Sequence, residues 1–332
     1  MKQGSLVISL DFELLWGVFD KVGDKVDKNY FHKTRLLIPQ MLALFEKYEV
    51  KATWATVGML FAENEEEWEQ YLPKNTPSYR NQHFSAYHWM RTHGLKEGCH
   101  FAPDLIQKII DCPGQEVGSH TYAHYYTLLR GQTPQQFQDD LKTAQKIASD
   151  KFGIKLKSLV FPRNHVNLLY MDICYQEGFE QVRINPPTWY WQEAQHEGFL
   201  KKMVRTADCF FPVGKKSSYA AEEIYSWNDQ VWMIPASRIL KPFQKNNGVS
   251  NFLRYNRIKD EMTFAAKDKT VYHLWWHPHN FASHPEAALK ELGKILEHYQ
   301  NLHQKYGFGS DSMGTLGASL QMQKNSKNLQ IT

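Results

Sequence analysis

Two carboxylates and two histidines carry the chemistry most readily read from this sequence. The run Ser5-Leu-Val-Ile-Ser-Leu-Asp11-Phe-Glu13 is an apolar strand ending in two acids set two residues apart. Alternate side chains of a strand share a face and lie roughly 6.5 to 7 Å apart, so Asp11 and Glu13 look into one space. A buried carboxylate pair is costly to desolvate unless a metal, a partner charge or a substrate answers it. Histidines fall at i, i+4 twice, as His120/His124 in Gly118-Ser-His-Thr-Tyr-Ala-His124 and as His273/His277 in Val271-Tyr-His-Leu-Trp-Trp-His277. With 15 histidines in the chain, roughly 0.7 such pairs arise by chance, so local structure has to separate them. His120 and His124 follow a short predicted strand and enter a turn or helix start, where side chains ~5 to 6 Å apart can share one ion. His273 and His277 lie on a predicted strand, where four residues span ~13 Å and cannot chelate together. Glu13, His120 and His124 therefore form a two-histidine, one-carboxylate set with open positions. Such a set suits Zn2+, with Co2+, Ni2+, Mn2+ and Fe2+ as alternatives. The competing reading is two surface histidines and an unrelated acidic strand end.

The elements that would position these residues alternate between strand and helix, the pattern of parallel βα units. After the first strand, Tyr30 to Tyr48 carries Leu36, Leu37, Met41, Leu44 and Phe45 at helical spacing, with a kink expected at Pro39. Predicted strands follow at Lys51 to Gly58, Glu116 to Ser119, Leu156 to Phe161, Val231 to Ile239 and Thr270 to Trp276. A helix opening with Thr133-Pro134 runs to Asp150, and helices at Asn251 to Ala266 and His284 to Tyr306 flank the last strand. The segments 62–114 and 185–229 are long, aromatic-rich and weakly periodic, so they read as insertions at one end of a barrel domain spanning 1–307. Residues 308–332 read as a loose C-terminal tail. In this layout Asp11 and Glu13 end the first strand, His120 and His124 follow the third, Arg163 follows the fourth, and His277 ends the last. Catalytic residues of βα barrels collect at that C-terminal rim.

These residues resemble the metal-dependent polysaccharide deacetylases. Ser9-Leu-Asp11-Phe-Glu13 is similar to that family's first motif, His120-Thr-Tyr-Ala-His124 matches its second, Phe161-Pro-Arg163-Asn-His resembles its third, and Trp276-His277-Pro278-His-Asn280 its fifth. The resemblance runs from about Ser5 to Tyr299 and implies a distorted (β/α)7-8 barrel. It implies removal of an N- or O-acetyl group from a sugar by metal-activated water. Glu13, His120 and His124 would hold the metal, Asp11 would act as base, Arg163 would keep it ionised, and His277 would protonate the leaving group. Three features depart from the family pattern. Glu13 stands where the metal carboxylate is usually Asp, the usual Pro and aromatic residue do not follow Arg163, and Phe179 to Trp189 offers no clear fourth-motif Asp. Asp208 is then the candidate to orient His277. Asn164 and Trp276 are the expected substrate neighbours.

Composition narrows the alternatives. At 332 residues, with 22% charged and 42% hydrophobic side chains, the chain can bury a substantial core. Its net charge of +4 is small and its cations dispersed, which excludes a nucleic-acid footprint. The first residues lack the apolar run of a secretory signal, no stretch spans a bilayer, and Cys99, Cys112, Cys174 and Cys209 show no paired spacing. The expectation is a cytoplasmic enzyme whose substrate is an acetylated sugar, nucleotide- or lipid-linked. Two rivals stay open at this point. One is a metal-containing carbohydrate-binding pseudoenzyme, and the other a glycoside hydrolase using Asp11 and Glu13 as its acid/base pair.

Overall fold

Ten strands form one curled sheet in the computed structural model, which describes residues 3–191 and 198–329. They are β1 (Ser5–Phe12), β2 (Ala52–Thr56), β3 (Gln115–Ser119), β4 (Ser158–Val160), β5 (Gln181–Ile184), β6 (Ser226–Trp227), β7 (Val231–Pro235), β8 (Arg238–Ile239), β9 (Val271–Trp276) and β10 (Gly309–Asp311). Their order is β6-β7-β5-β4-β3-β2-β1-β9-β8, with β10 beside the start of β1. All pairings between these strands are parallel except that of β6 with β7.

The expected single strand at Val231 to Ile239 breaks at Ala236 and Ser237, and the break closes the barrel. Its first half pairs with β5 and its second half with β9, so one stretch of chain bridges the two sides of the sheet. The result is the expected distorted parallel barrel with helices outside.

Side-chain alternation along β1 divides the interior in two. Leu6, Ile8, Leu10 and Phe12 join the large core under the helices, whereas Val7 belongs to a smaller cluster within the barrel. Ser9 and Asp11 share the inward face with Val7. The helix Lys28–Lys47 begins on an Asp27 cap, whose carboxylate accepts from the Asn29 and Tyr30 amides, and runs unbroken past Pro39. The Thr133 capping box with Pro134 behind it starts the helix Pro134–Phe152, and Gly153 ends it in left-handed conformation.

The C-terminal segment corrects the expectation of a loose tail. β10 adds to β1, and the helix Met313–Leu329 places Met313, Leu316 and Leu320 against Val7, Ala55, Val160, Ile234 and Val271 inside the barrel base. Polar ties fix it there: Glu116 accepts from the Gly314 amide at 2.9 Å, and the Met313 amide donates to Thr53 Oγ1 at 2.8 Å. The approach is close, for a Cβ on Gly317 would fall 2.3 Å from the Gln181 side chain. The sequence signal was weak because the buried side of this helix carries few large apolar residues, Met313, Leu316 and Leu320, set among small and polar ones, too few to mark a periodic stripe. Segments 62–114 and 185–229 contain short helices, among them Glu65–Gln70, Ala86–His93, Pro103–Asp111 and Phe199–Asp208.

Candidate metal and catalytic site

Glu13 leaves β1 through a single turn of 3-10 helix, Leu14–Gly17, with Leu14 at φ 46°. That turn draws its carboxylate toward Asp11, and one oxygen of each acid lies with a His277 nitrogen inside a 4.8 Å group. The acids are thus closer together than an extended strand would hold them.

His120 and His124 sit on a loop rather than at the start of a helix. Thr121 and His124 both take left-handed conformations, at φ 63° and 53°, and these turns bring the two rings to 5.2 Å. Such φ values cost energy in non-glycine residues and persist where surrounding contacts enforce them. Here the amides between the histidines are captured in turn. Thr121 N donates to Ser119 Oγ at 3.0 Å, Tyr122 N and Ala123 N donate to the buried Asp140 carboxylate at 2.6 and 3.0 Å, and Tyr125 N donates to Thr121 Oγ1 at 2.7 Å. Burial pushes the Asp140 carboxyl up to about 7 despite those two amide bonds.

The three expected ligands converge. His120 Nε2 lies 3.0 Å and His124 Nε2 3.2 Å from the same Glu13 oxygen, and all three side chains are buried. Ligand atoms around a tetrahedral ion at ~2.1 Å are about 3.4 Å apart, so the spacing fits. Hydrogen bonding makes the stronger case. His120 Nδ1 lies 2.8 Å from the Val160 carbonyl, which can only accept, so Nδ1 carries the proton and Nε2 presents a lone pair. A lone pair facing a carboxylate oxygen is repulsive unless a cation or a further proton lies between them. His124 Nδ1 meets Tyr126 Oη at 3.0 Å, which likewise fixes its ring. Burial lowers the His124 pKa, favouring the neutral form that binds metals. Burial alone would raise the Glu13 carboxyl, but His277 and the bonds to His120 and His124 hold it well below its ordinary range.

The guanidinium that grips Asp11 is Arg183, and the expectation for Arg163 is corrected. Arg183 Nη1 donates to Asp11 Oδ1 at 2.7 Å and Nη2 to Oδ2 at 2.8 Å, a bidentate pair inside the barrel. Nη1 also donates to Ser9 Oγ at 2.9 Å, and Ser9 Oγ lies 2.8 Å from His273 Nε2. His273 Nδ1 in turn faces the Pro235 carbonyl at 3.0 Å, so Nε2 accepts from Ser9. Burial holds His273 down to about 3 and neutral. The second histidine pair is therefore divided: His273 braces Arg183, while His277 reaches the site. Arg163 instead pairs with Asp20 at the rim and lies 4.5 Å over the Tyr126 ring. Its backbone and that of Asn164 are left-handed, at φ 55° and 54°, which turns this segment so that Asn164 Oδ1, not Arg163, reaches Arg183 Nη2 at 3.1 Å.

Burial would raise the Asp11 pKa, but Arg183, with His120 and His277, outweighs it and holds the carboxyl below its ordinary value. Removing that charge while the acid stays buried reverses the sign. Arg183→Gln is expected to raise the Asp11 pKa and move the acid limb of kcat/KM upward, with activity lost as pH falls through the new value; Arg183→Lys should return the limb part of the way. A pH-rate profile of each variant checks this.

His277 Nε2 lies 3.7 Å from both Asp11 Oδ2 and Glu13 Oε1, and its side chain is 25% exposed. It is thus the histidine of this group open to a ligand. Asp208 does not orient it. That acid accepts from Tyr190, Arg238 and Arg257, a buried cluster behind β8. Trp276 is also displaced from its expected role, because strand alternation turns it outward, fully buried and stacked on Phe281. Its neighbour Trp275 faces the site, 4.5 Å from the Arg183 guanidinium, and meets Trp191. His279, unremarked in the sequence, is buried with Nδ1 4.0 Å from Glu13 Oε2 and makes no hydrogen bond through that atom among the described residues. Burial holds it down to about 4.

A buried carboxylate beside a His-His-carboxylate cluster, gathered at the strand ends of a parallel barrel, is an arrangement suited to metal-assisted hydrolysis. Residues 25–182 match the family model described as polysaccharide deacetylase, which bears out the resemblance read from the motifs. The match contains His120, His124 and Arg163; Asp11, Glu13, Arg183 and His277 lie outside it. No curated protein sequence matches the chain. Among solved structures, a candidate polysaccharide deacetylase from Mycobacterium smegmatis is 12% identical with a TM-score of 0.61, over 97% of this chain and 92% of that one. A probable polysaccharide deacetylase from Pseudomonas aeruginosa PAO1 is 12% identical with a TM-score of 0.55, over 95% and 89%. Puue allantoinase is 12% identical with a TM-score of 0.53, over 95% and 88%. At that identity the likeness is one of fold.

Proposed function

We propose that the protein is a metal-dependent deacetylase that hydrolyses an N-acetyl, or O-acetyl, group on a sugar precursor. The observation that carries the reading is the convergence of Glu13, His120 and His124 on one point beside an ionised Asp11. Zn2+ is the ion we assign to these residues, because two imidazoles and one carboxylate leave an open fourth position. When bound, such an ion supplies Lewis-acid chemistry to the acyl carbonyl and to water.

The protein's own groups do the rest. Asp11 takes the proton of the attacking water, and Arg183 keeps it anionic until then. His277, across from both acids and partly exposed, gives a proton to the departing nitrogen, so that a neutral amine and acetate leave. Trp275 and Trp191 offer apolar ring surface at the mouth for a sugar face. The glycoside hydrolase alternative needs one carboxyl raised toward neutrality to act as acid, and both acids here are held low. The intact pairing of Asp11 with Arg183 also speaks against a binding-only protein.

Four cysteines without disulfide partners suit a reducing compartment, and among the described residues no helix is long and apolar enough to cross a membrane. A cytoplasmic, nucleotide- or lipid-linked acetylated sugar is the substrate we propose. The test is acetate release from a panel of N-acetylated sugars before and after chelation. Release should cease with chelator and return with added divalent metal. Undiminished release in chelator would remove the metal from the reaction, and no acetate from any acetylated sugar would remove the substrate class.

A further inference from the structure

An apolar patch stands beside the mouth on the helix Phe199–Asp208. Phe199, Leu200 and Met203 are 79%, 64% and 53% exposed, and positions i, i+1 and i+4 lie on one side of a helix. Trp189 before the helix and Phe211 and Val213 after it are also exposed. Single exposed apolar side chains are ordinary, but six of the large ones between residues 189 and 213 mark an interaction surface.

The segment that carries the patch is richer in cations than in acids. From Phe199 to Lys216 the cations Lys201, Lys202, Arg205, Lys215 and Lys216 stand against one acid, Asp208, and Asp208 is buried between Arg238 and Arg257. Glu193 and Glu197 precede the helix in the sequence and still leave residues 191–216 net positive. The helix is also tied to the catalytic group. The Arg205 guanidinium lies 4.8 Å over the Trp191 ring, Trp191 meets Trp275 at 6.4 Å, and Arg183 lies 4.5 Å over Trp275.

We propose that this face seats the enzyme on a membrane surface bearing anionic lipid headgroups, with the barrel mouth turned toward a sugar carried at that surface. The apolar side chains enter the headgroup and acyl boundary, Trp189 stands at the interface, and the exposed Lys215 and Lys216 meet lipid phosphates. A second copy of the chain is a poorer occupant, because a two-fold contact would set the same lysines against each other. The docking surface extends the deacetylase reading, and its test does not depend on hydrolysis.

Co-sedimentation with vesicles of phosphatidylcholine, with and without phosphatidylglycerol, measures it. The wild type should bind the anionic vesicles, more weakly as salt is added, and Phe199→Ser/Leu200→Ser/Met203→Ser should reduce that binding at least about tenfold. Lys215→Gln/Lys216→Gln should weaken binding to anionic vesicles alone. Circular dichroism, melting temperature and acetate release from a water-soluble acetylated sugar should be unchanged in the triple variant, which separates lost docking from lost folding or chemistry. No binding of the wild type to anionic vesicles at low salt, equal binding to both vesicle types, equal binding by the triple variant, or a solution dimer that the triple variant dissolves would each overturn the proposal.

Discussion

Asp11→Asn is expected to lower kcat for acetate release about 10²- to 10⁴-fold, the range of a positioned proton-transfer group. Metal content and KM should change little. The substitution keeps the shape of a side chain that is 2% exposed, so packing is preserved, while the amide has no basic oxygen to take a proton from water. It also puts an amide nitrogen opposite one arm of Arg183, where a carboxylate oxygen now accepts, so a modest loss of stability accompanies the loss of rate. Acetate assays paired with metal analysis distinguish these effects. A variant that retains wild-type turnover would show that the base is another group, and His277 would be next to test because it is the partly exposed member of the Asp11, Glu13 and His277 group.

The second large effect is expected at a residue without a side chain. A Cβ at Gly17 would lie 1.7 Å from Glu13 Oε2 and 2.4 Å from its carboxyl carbon, distances at which the two cannot coexist. The carboxylate must move, and it can, since it ends a flexible arm; but any movement takes it from the histidine nitrogens. Gly17→Ala is therefore expected to leave the fold intact and weaken metal binding about 10- to 100-fold, as outer-sphere substitutions do. Adding Glu13→Asp should recover part of the affinity, because a shorter acid needs less of the space above Gly17. Metal titration by calorimetry, with a thermal melt of the metal-free protein, separates the ligand effect from a folding defect. Unchanged affinity in Gly17→Ala would exclude Glu13 as a ligand.

The residues that hold the site differ in how openly the sequence displays them. The Asp11-Phe-Glu13 strand end and the His120/His124 pair are local patterns, and a local pattern survives reading in one dimension. The alternation of strands and helices likewise announces a parallel barrel. Arg183 was hidden because β5 is four residues long, too short to display a period, and lies in the stretch Phe179 to Trp189, where the family pattern places an acid. Its alternation, with Val182 buried in the outer core and Arg183 buried on the opposite face, was the available signal. Arg163 was misplaced for a different reason. Its spacing after β4 was right, but two successive left-handed residues, at Arg163 and Asn164, redirect the chain, and neither is a glycine that would have betrayed the turn. Trp275 and Trp276 show how a one-residue shift on a strand exchanges a substrate neighbour for a core residue. The inward helix of the C-terminal segment depended on partners as far as 260 residues away, such as Thr53, which no local window contains.

That same helix gives the enzyme a floor. With Met313, Leu316 and Leu320 packed across the barrel base against Val7, Ala55, Val160, Ile234 and Val271, passage through to the far end is blocked there, and acetate and the deacylated sugar are expected to leave on the side from which the substrate arrives. Departure and arrival then compete for the same passage, so the pace of turnover is exposed to accumulated product in a way that a through-channel would avoid.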